Sequence, residues 1–339
     1  MATLKDVAEA AGVSRATVSR VINGQAGVTP ETRTRVLRAI DQLNYRPHPL
    51  ARGLATKRTR IIGVFVPTTV TRLFLDHFFP PLLQGVVQAA AGRGYNVMLS
   101  LFSDEGDRDS YVHSVHNGYM DGAIAVVSAL MSDVLLPRLQ AEGFPLVTVG
   151  RWPAVDAPSV DVDNRAGART ATEHLLRIGY RRLGTITGPR DLPMPQDRCQ
   201  GFEDALRSYG IPVDQRLVVE ADLTELGGMV AMQRLLEEKP EAVFVQSDTM
   251  AIGALKAIRA AGLRVPQDIA LVGFDDIPLA SLVEPPLTTI RQPIQLLGHM
   301  AVELLLDVLE NPGNKNAHRQ LQLPTELVVR ASCGALRTR

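Results

Sequence analysis

Arg15, Thr17, Ser19, Arg20 and Asn23 lie on the polar side of a short stretch whose other side, Val18, Val21 and Ile22, is apolar. Wound into a helix, that spacing gives one buried stripe and one face of hydrogen-bonding groups without a single carboxylate. A guanidinium fork matches the O6 and N7 edge of guanine, and hydroxyl and amide side chains complement other base edges or phosphates. An ordinary solvated face mixes both signs of charge, so the implied chemistry is contact with nucleic acid. The bland alternative is a solvated three-helix bundle.

Such a face must be held by neighbouring elements. Thr3 as N-cap, Asp6 at the third helical position and Leu4, Val7, Ala8 and Ala11 at helical spacing predict a first helix that stops at Gly12. Ser14 caps a second helix over 15–23, ended by Gly24. A third begins at Thr29 and Pro30 and is expected to bury Val36, Leu37, Ile40 and Leu43 before Asn44. Two short helices joined by a tight glycine-containing turn make a helix-turn-helix, whose second helix enters the major groove.

The 339-residue chain has zero formal net charge, 45% hydrophobic and 21% charged residues, a balance that excludes wholesale disorder or fibrous structure. Charge is unevenly distributed. Residues 1–60 carry eleven Lys and Arg against four Asp and Glu, a net of +7, which leaves −7 on the rest. A basic head on an acidic body is the footprint expected when only the head meets phosphate. Two cysteines, Cys199 and Cys333, are too few for a disulfide framework or metal site. Lys5, Asp6 and Glu9 interrupt any signal peptide, and no apolar run approaches membrane-spanning length, so a cytoplasmic protein is expected.

The segment Asn44-Tyr-Arg-Pro-His-Pro-Leu-Ala-Arg-Gly-Leu-Ala-Thr-Lys-Arg-Thr59, together with Thr3 to Asn23, closely resembles the lactose-repressor and galactose-repressor (LacI/GalR) family of bacterial regulators. The resemblance implies a hinge helix on the operator in which Leu54, by position, wedges into a minor-groove step. An inserted apolar side chain kinks the duplex and widens the contact made by Arg52 and Lys57. Gly53 keeps such a hinge marginal without DNA. The alternative is a plain flexible linker over 48–59. The expected DNA-contacting set is Thr3, Ser14, Arg15, Ala16, Thr17, Ser19, Arg20, Asn23, Tyr45, Arg52, Leu54 and Lys57.

From Arg60 onward, short β-rich runs alternate with longer helical stretches, the signature of a parallel α/β architecture. Candidate strands are 61–66, 96–101, 122–127 and 146–149 in one series and 183–187, 217–219, 242–245 and 269–272 in another, with helices near 81–93, 166–176, 198–209, 226–237 and 249–261. Two successive units suggest two doubly wound, Rossmann-like lobes facing a cleft. The resemblance extends through this region to about residue 332 and implies a body of the periplasmic-binding-protein type. The expected limits are 1–47 for the helix-turn-helix domain and 48–59 for the hinge. The N-terminal lobe takes 60–161 with 291–323, and the C-terminal lobe 162–290 with 324–332.

Three stretches carry the resemblance in the body: Asp197-Arg198-Cys-Gln-Gly201-Phe202, Ser247-Asp248-Thr-Met-Ala-Ile-Gly253-Ala, and Arg264-Val-Pro-Gln-Asp268-Ile-Ala-Leu-Val-Gly273-Phe-Asp275-Asp276. It implies that Arg198 and Asp275 bind a small-molecule effector. A planar guanidinium and an acceptor-only carboxylate suit the adjacent hydroxyls of a sugar. Phe79, with Phe78 and Trp152 as further candidates, offers an aromatic wall, and Arg151, Asp163 and Ser247 stand at strand ends where a cleft belongs. Each has a structural alternative: an interlobe salt bridge for Arg198, a turn or cap for Asp275, ordinary core for Phe79. A purine or a phosphoprotein partner is the competing effector class, but Leu192, Met194 and Leu223 stand where purine-binding members of the family hold the base.

The function expected is an allosteric repressor of carbohydrate-utilisation genes that binds a pseudo-palindromic DNA operator. It is expected to be a homodimer, because Ser332 to Arg339 is too short for a helical tetramerisation tail. No cofactor is expected beyond the sugar. A sugar-metabolising enzyme or free sugar-binding protein is disfavoured: dinucleotide-binding, phosphate-loop, nucleophile-elbow and zinc-protease motifs are missing, and the basic head has no place in a sugar carrier. His77, His113 and His116 are assigned no metal role.

Overall fold

A computed structural model describes residues 2–22, 26–45, 58–66, 68–101, 115, 117–127, 135–153, 156–311 and 319–335. Asn23, Arg52, Leu54 and Lys57, and with them residues 48–57 of the hinge, lie outside the described residues, as do His113 and His116. The chain divides into two compact units, residues 1–60 and 61–339.

In the first unit, α1 (Leu4–Ala11) opens with a reciprocal cap: Asp6 N donates to Thr3 Oγ1 and Thr3 N to Asp6 Oδ2 at 2.7 Å. Gly12, at φ 61, closes it in the left-handed conformation that a side chain disfavours. Thr17 N donates to Ser14 Oγ at the start of α2 (Arg15–Ile22), and Thr29 caps α3 (Pro30–Gln42). Val7, Ala8, Ala11, Val18, Val21, Val36 and Ala39 form the core. The expectation for α3 needs correcting: Leu37 and Leu43 are exposed, at 48% and 37%, while Ala39 is buried. Leu37 lies about 100° round the helix from Val36, so both cannot share one narrow inward stripe.

The second unit contains two six-stranded sheets. The first runs β11-β5-β4-β3-β1-β2, all parallel, with β1 (Ile61–Val66), β2 (Asn96–Leu101), β3 (Gly122–Val126), β4 (Leu146–Val149), β5 (Ser159–Val162) and β11 (Gln320–Leu323). The second runs β12-β10-β9-β8-β6-β7, with β6 (Leu183–Thr187), β7 (Val218–Glu220), β8 (Ala242–Val245), β9 (Ala270–Asp275), β10 (Thr288–Arg291) and β12 (Glu326–Val328). Only β12 in that sheet is antiparallel to its neighbour. The apolar runs of β1, β3, β6, β8 and β9 are buried throughout or nearly so, as strands covered on both faces require.

Three crossings tie the lobes together. The chain leaves the first sheet after β5, and leaves the second after β10 for the helix Ile294–Glu310, which packs on the helix Phe79–Gly92. It then passes from β11 directly to β12. The two packed helices touch through glycine: a Cβ on Gly85 would lie within van der Waals exclusion of the Gln295 carbonyl, and one on Gly298 would do the same at Leu82.

Candidate DNA-binding face and effector cleft

On α2, Arg15, Ala16 and Arg20 are exposed and Thr17 and Ser19 half-exposed, while Val18 and Val21 are buried. No acidic residue stands in its first turn, and neither Arg15 nor Arg20 joins an ion pair among the described residues. Ser14 and Thr3 are exposed caps, and Tyr45 packs against the core of this unit.

Between the lobes of the second unit lies a cleft of about 400 Å³, to which both sheets contribute. Arg198, on the second turn of the helix Pro193–Ser208, is its buried centre at 3% exposure. Nε donates to Asn164 Oδ1 at 2.8 Å and Nη1 to the Gln246 carbonyl. The guanidinium carbon stands 3.5 Å above the Phe274 ring, and Nη1 lies 3.7 Å from Asp275 Oδ1. Burial pulls its pKa below the ordinary value, opposed by the charges of Asp275 and Asp161.

Asp275 ends β9 with φ 122 and is followed by Asp276 at φ 59, so two consecutive non-glycine residues hold positive φ at the cleft wall. Asp275 Oδ1 accepts from Gln292 Nε2 at 2.6 Å. Burial pushes this carboxyl up to about 7; Arg198 lowers it and Asp76 on the facing lobe raises it further. Beneath it Asp248 is wholly buried, accepting from Thr289 Oγ1 at 2.6 Å and Ile277 N at 3.0 Å.

Phe79 lines the cleft beside Phe78, the rings edge to face with centroids 5.6 Å apart. Ser247 lines it while capping the helix Asp248–Ala260 through Met250 N. Arg151 also reaches the wall, but its guanidinium is engaged by Asp197 of the other lobe at 2.8 Å. Two expected residues are not among the lining groups. Asp163 accepts from Ala166 N at 2.9 Å as a helix N-cap, because the helix begins at Asn164 and not at 166. Trp152 packs with the Phe65 and Leu136 cluster of the first lobe.

In place of Asp163 the strand presents Asp161, whose Oδ1 accepts from Asn164 Nδ2 at 2.9 Å and Val162 N at 2.7 Å. Sequence reasoning also missed Asp76, Asn164 and Gln292. The run Asp161-Val-Asp163-Asn164 holds three polar groups at a strand end, a signal of position that does not say which one faces inward. Leu192, Met194 and Leu223 do line the wall.

The models of known families match this arrangement: residues 3–48 match the bacterial regulatory proteins of the lacI family and residues 172–333 a periplasmic binding protein-like domain. The chain is 39% identical over 97% of its length, and 98% of the relative, to the HTH-type transcriptional regulator CelR of Thermobifida fusca. The chain belongs to the lacI family of bacterial regulatory proteins. A CelR–cellobiose complex superposes on this LacI-family chain with a TM-score of 0.77 at 37% identity, covering 98% of this chain and 100% of the other. The lac repressor dimer bound to operator and the anti-inducer ONPF gives 0.83 at 30% identity, with 98% and 99% coverage. This LacI-family protein is therefore a DNA-binding transcriptional regulator and not an enzyme, with a helix-turn-helix head and a two-lobed α/β body. Among the described residues no helix is long and apolar enough to cross a membrane.

Proposed function

We propose that this regulator is a cytoplasmic homodimeric repressor of carbohydrate-utilisation genes, released from or tightened on a pseudo-palindromic operator by a sugar or glycoside in the interlobe cleft. The observation that carries the effector reading is that the buried Arg198–Asp275 pair and the Phe78–Phe79 corner line one cavity: a planar donor, an acceptor and an apolar face converge there. Sugar rings present that combination of hydroxyl edge and C–H face. The complex of CelR with cellobiose supports a glycoside, and the dimeric lac repressor on its operator supports the assembly. A purine would set its hydrogen-bonding edge against Leu192, Met194 and Leu223, leaving polar groups without partners.

In this reading Arg15, Thr17, Ser19, Arg20 and Asn23 meet the major groove, Leu54 the minor groove, and Thr3, Ser14, Ala16, Tyr45, Arg52 and Lys57 support them. The domain limits 1–47, 48–59, 60–161 with 291–323, and 162–290 with 324–332 complete it. The test is a melting-temperature screen over cellobiose, other glycosides, monosaccharides and purines, followed by operator binding with each stabilising compound. A sugar that raises the melting temperature and shifts operator affinity supports the reading, since a ligand of the folded state stabilises by mass action. Stabilisation by purines alone refutes it.

A further inference from the structure

We propose that the cleft is built to reject anions, so that its effector is an uncharged, non-phosphorylated molecule. This rests on the effector reading above and narrows it.

Asp161 from the first lobe and Asp275 from the second flank the one buried guanidinium, that of Arg198, and a third carboxylate, Asp76 of the first lobe, lines the same cleft and acts on Asp275. Burial raises the pKa of all three, the sign of negative charge already costly in this cavity. The other cations of the wall are committed across the cleft. Arg72 Nη2 donates to the Asp222 carbonyl at 3.1 Å, and Arg151 Nη2 to Asp197 at 2.8 Å.

Helix N-termini are the usual alternative anion seat, through their open N–H groups. Here most of those groups are removed or engaged. The helix Phe79–Gly92 begins with Phe79-Pro80-Pro81, where the prolines carry no N–H and Phe78 N and Phe79 N already donate to Asp76. The helix Pro193–Ser208 opens with Pro193 and Pro195, and Gln196 N donates to the Leu192 carbonyl. Asp163 and Ser247 cap two more, each side chain holding one first-turn N–H, that of Ala166 and that of Met250.

What the cavity leaves open is neutral. Thr68 Oγ1 lines it, buried and without a partner among the described residues, able to donate or accept. A phosphorylated ligand would meet three carboxylates with no uncommitted cation but the remaining edge of Arg198, whereas hydroxyls satisfy those carboxylates as donors.

Calorimetric titration of the full-length protein with cellobiose, ribose and adenosine, each against its own monophosphate, tests this. Any neutral member that binds should do so at least about tenfold more tightly than its monophosphate, and Asp76→Asn or Asp161→Asn should narrow the ratio. A monophosphate that binds as tightly as its parent, or alone, overturns the proposal, and so does a ratio unchanged in both variants. If none of the six binds, cellobiose and ribose are excluded as the effector. Anion rejection is then decided by melting in inorganic phosphate against chloride of equal ionic strength: no rise for the wild type but a rise for Asp76→Asn/Asp161→Asn supports it, and a wild-type rise, or none in the double variant, overturns it.

Discussion

Arg151 and Asp197 bridge the two lobes, with Arg151 Nη2 at 2.8 Å and 3.1 Å from the two carboxylate oxygens. Arg151 follows β4 in the first lobe and Asp197 lies on the helix Pro193–Ser208 in the second, so the pair spans the cleft. Both side chains are partly exposed, at 44% and 33%, and an ion pair of that kind contributes at most about 1 kcal/mol. Arg151→Ala and Asp197→Ala should each weaken effector affinity by up to about fivefold, with the double variant no worse than either single one. Exchanging the charges should recover part of the loss; additive effects in the titrations would show that Arg151 acts on the ligand directly.

Arg198 belongs to a different energetic class. Replacing it with Ala leaves Asp275 and Asp161 buried without their cation, and breaking a buried pair costs about 3–5 kcal/mol. A large drop in melting temperature of the body is expected, together with loss of effector binding. Arg198→Lys should not rescue it, because one ammonium cannot reach Asn164 Oδ1, the Gln246 carbonyl and Asp275 together.

Asp275 predicts an unusual pH dependence. Its carboxyl titrates near 7 in the folded protein against an ordinary value of 3.8, so between these the folded state holds a proton that the unfolded chain has lost. Its contribution to stability is therefore complete below about 3.8 and is lost as pH rises to about 7. Asp248, raised by the same burial, adds a slope of the same sign. Asp275→Asn should reduce that slope in urea unfolding followed from pH 5 to pH 8. A sugar hydroxyl that donates to the ionised form should bind more tightly as pH rises through 7.

Gly201 tests the packing beneath the cleft. A Cβ there would lie 2.2 Å from the Arg165 carbonyl oxygen, where the helices Asn164–Ile178 and Pro193–Ser208 cross. Gly201→Ala should destabilise by about 1–3 kcal/mol, because backbone cannot yield as a side chain can. Gly92→Ala, with nothing within 4 Å, should be neutral or slightly stabilising in the same denaturation series.

In the head, Arg20→Ala should relax selection at one base pair by about 1–3 kcal/mol, read by sequence selection from a random operator pool. Uniform weakening over all sequences would instead mark Arg20 as a phosphate contact.

Much of this protein is determined by interactions that span only a few residues. The Thr3–Asp6 cap, the Gly12 stop and the apolar runs of β1, β6, β8 and β9 depend on spacings of two to four, which a sequence displays directly. The helix-turn-helix, the α/β lobes and the pair Arg198 and Asp275 were legible for that reason or through motif. Half-exposed strands such as β11 and β12 carry too little apolar signal to be read, and Pro193 hid a helix start. Which carboxylate of Asp161 and Asp163 faces the cleft, why Trp152 turns into the first lobe, and that Arg151 is engaged by Asp197 were settled by folding alone. Those outcomes rest on contacts between groups far apart along the chain, whose directions are set only when two sheets and the crossings between them have packed.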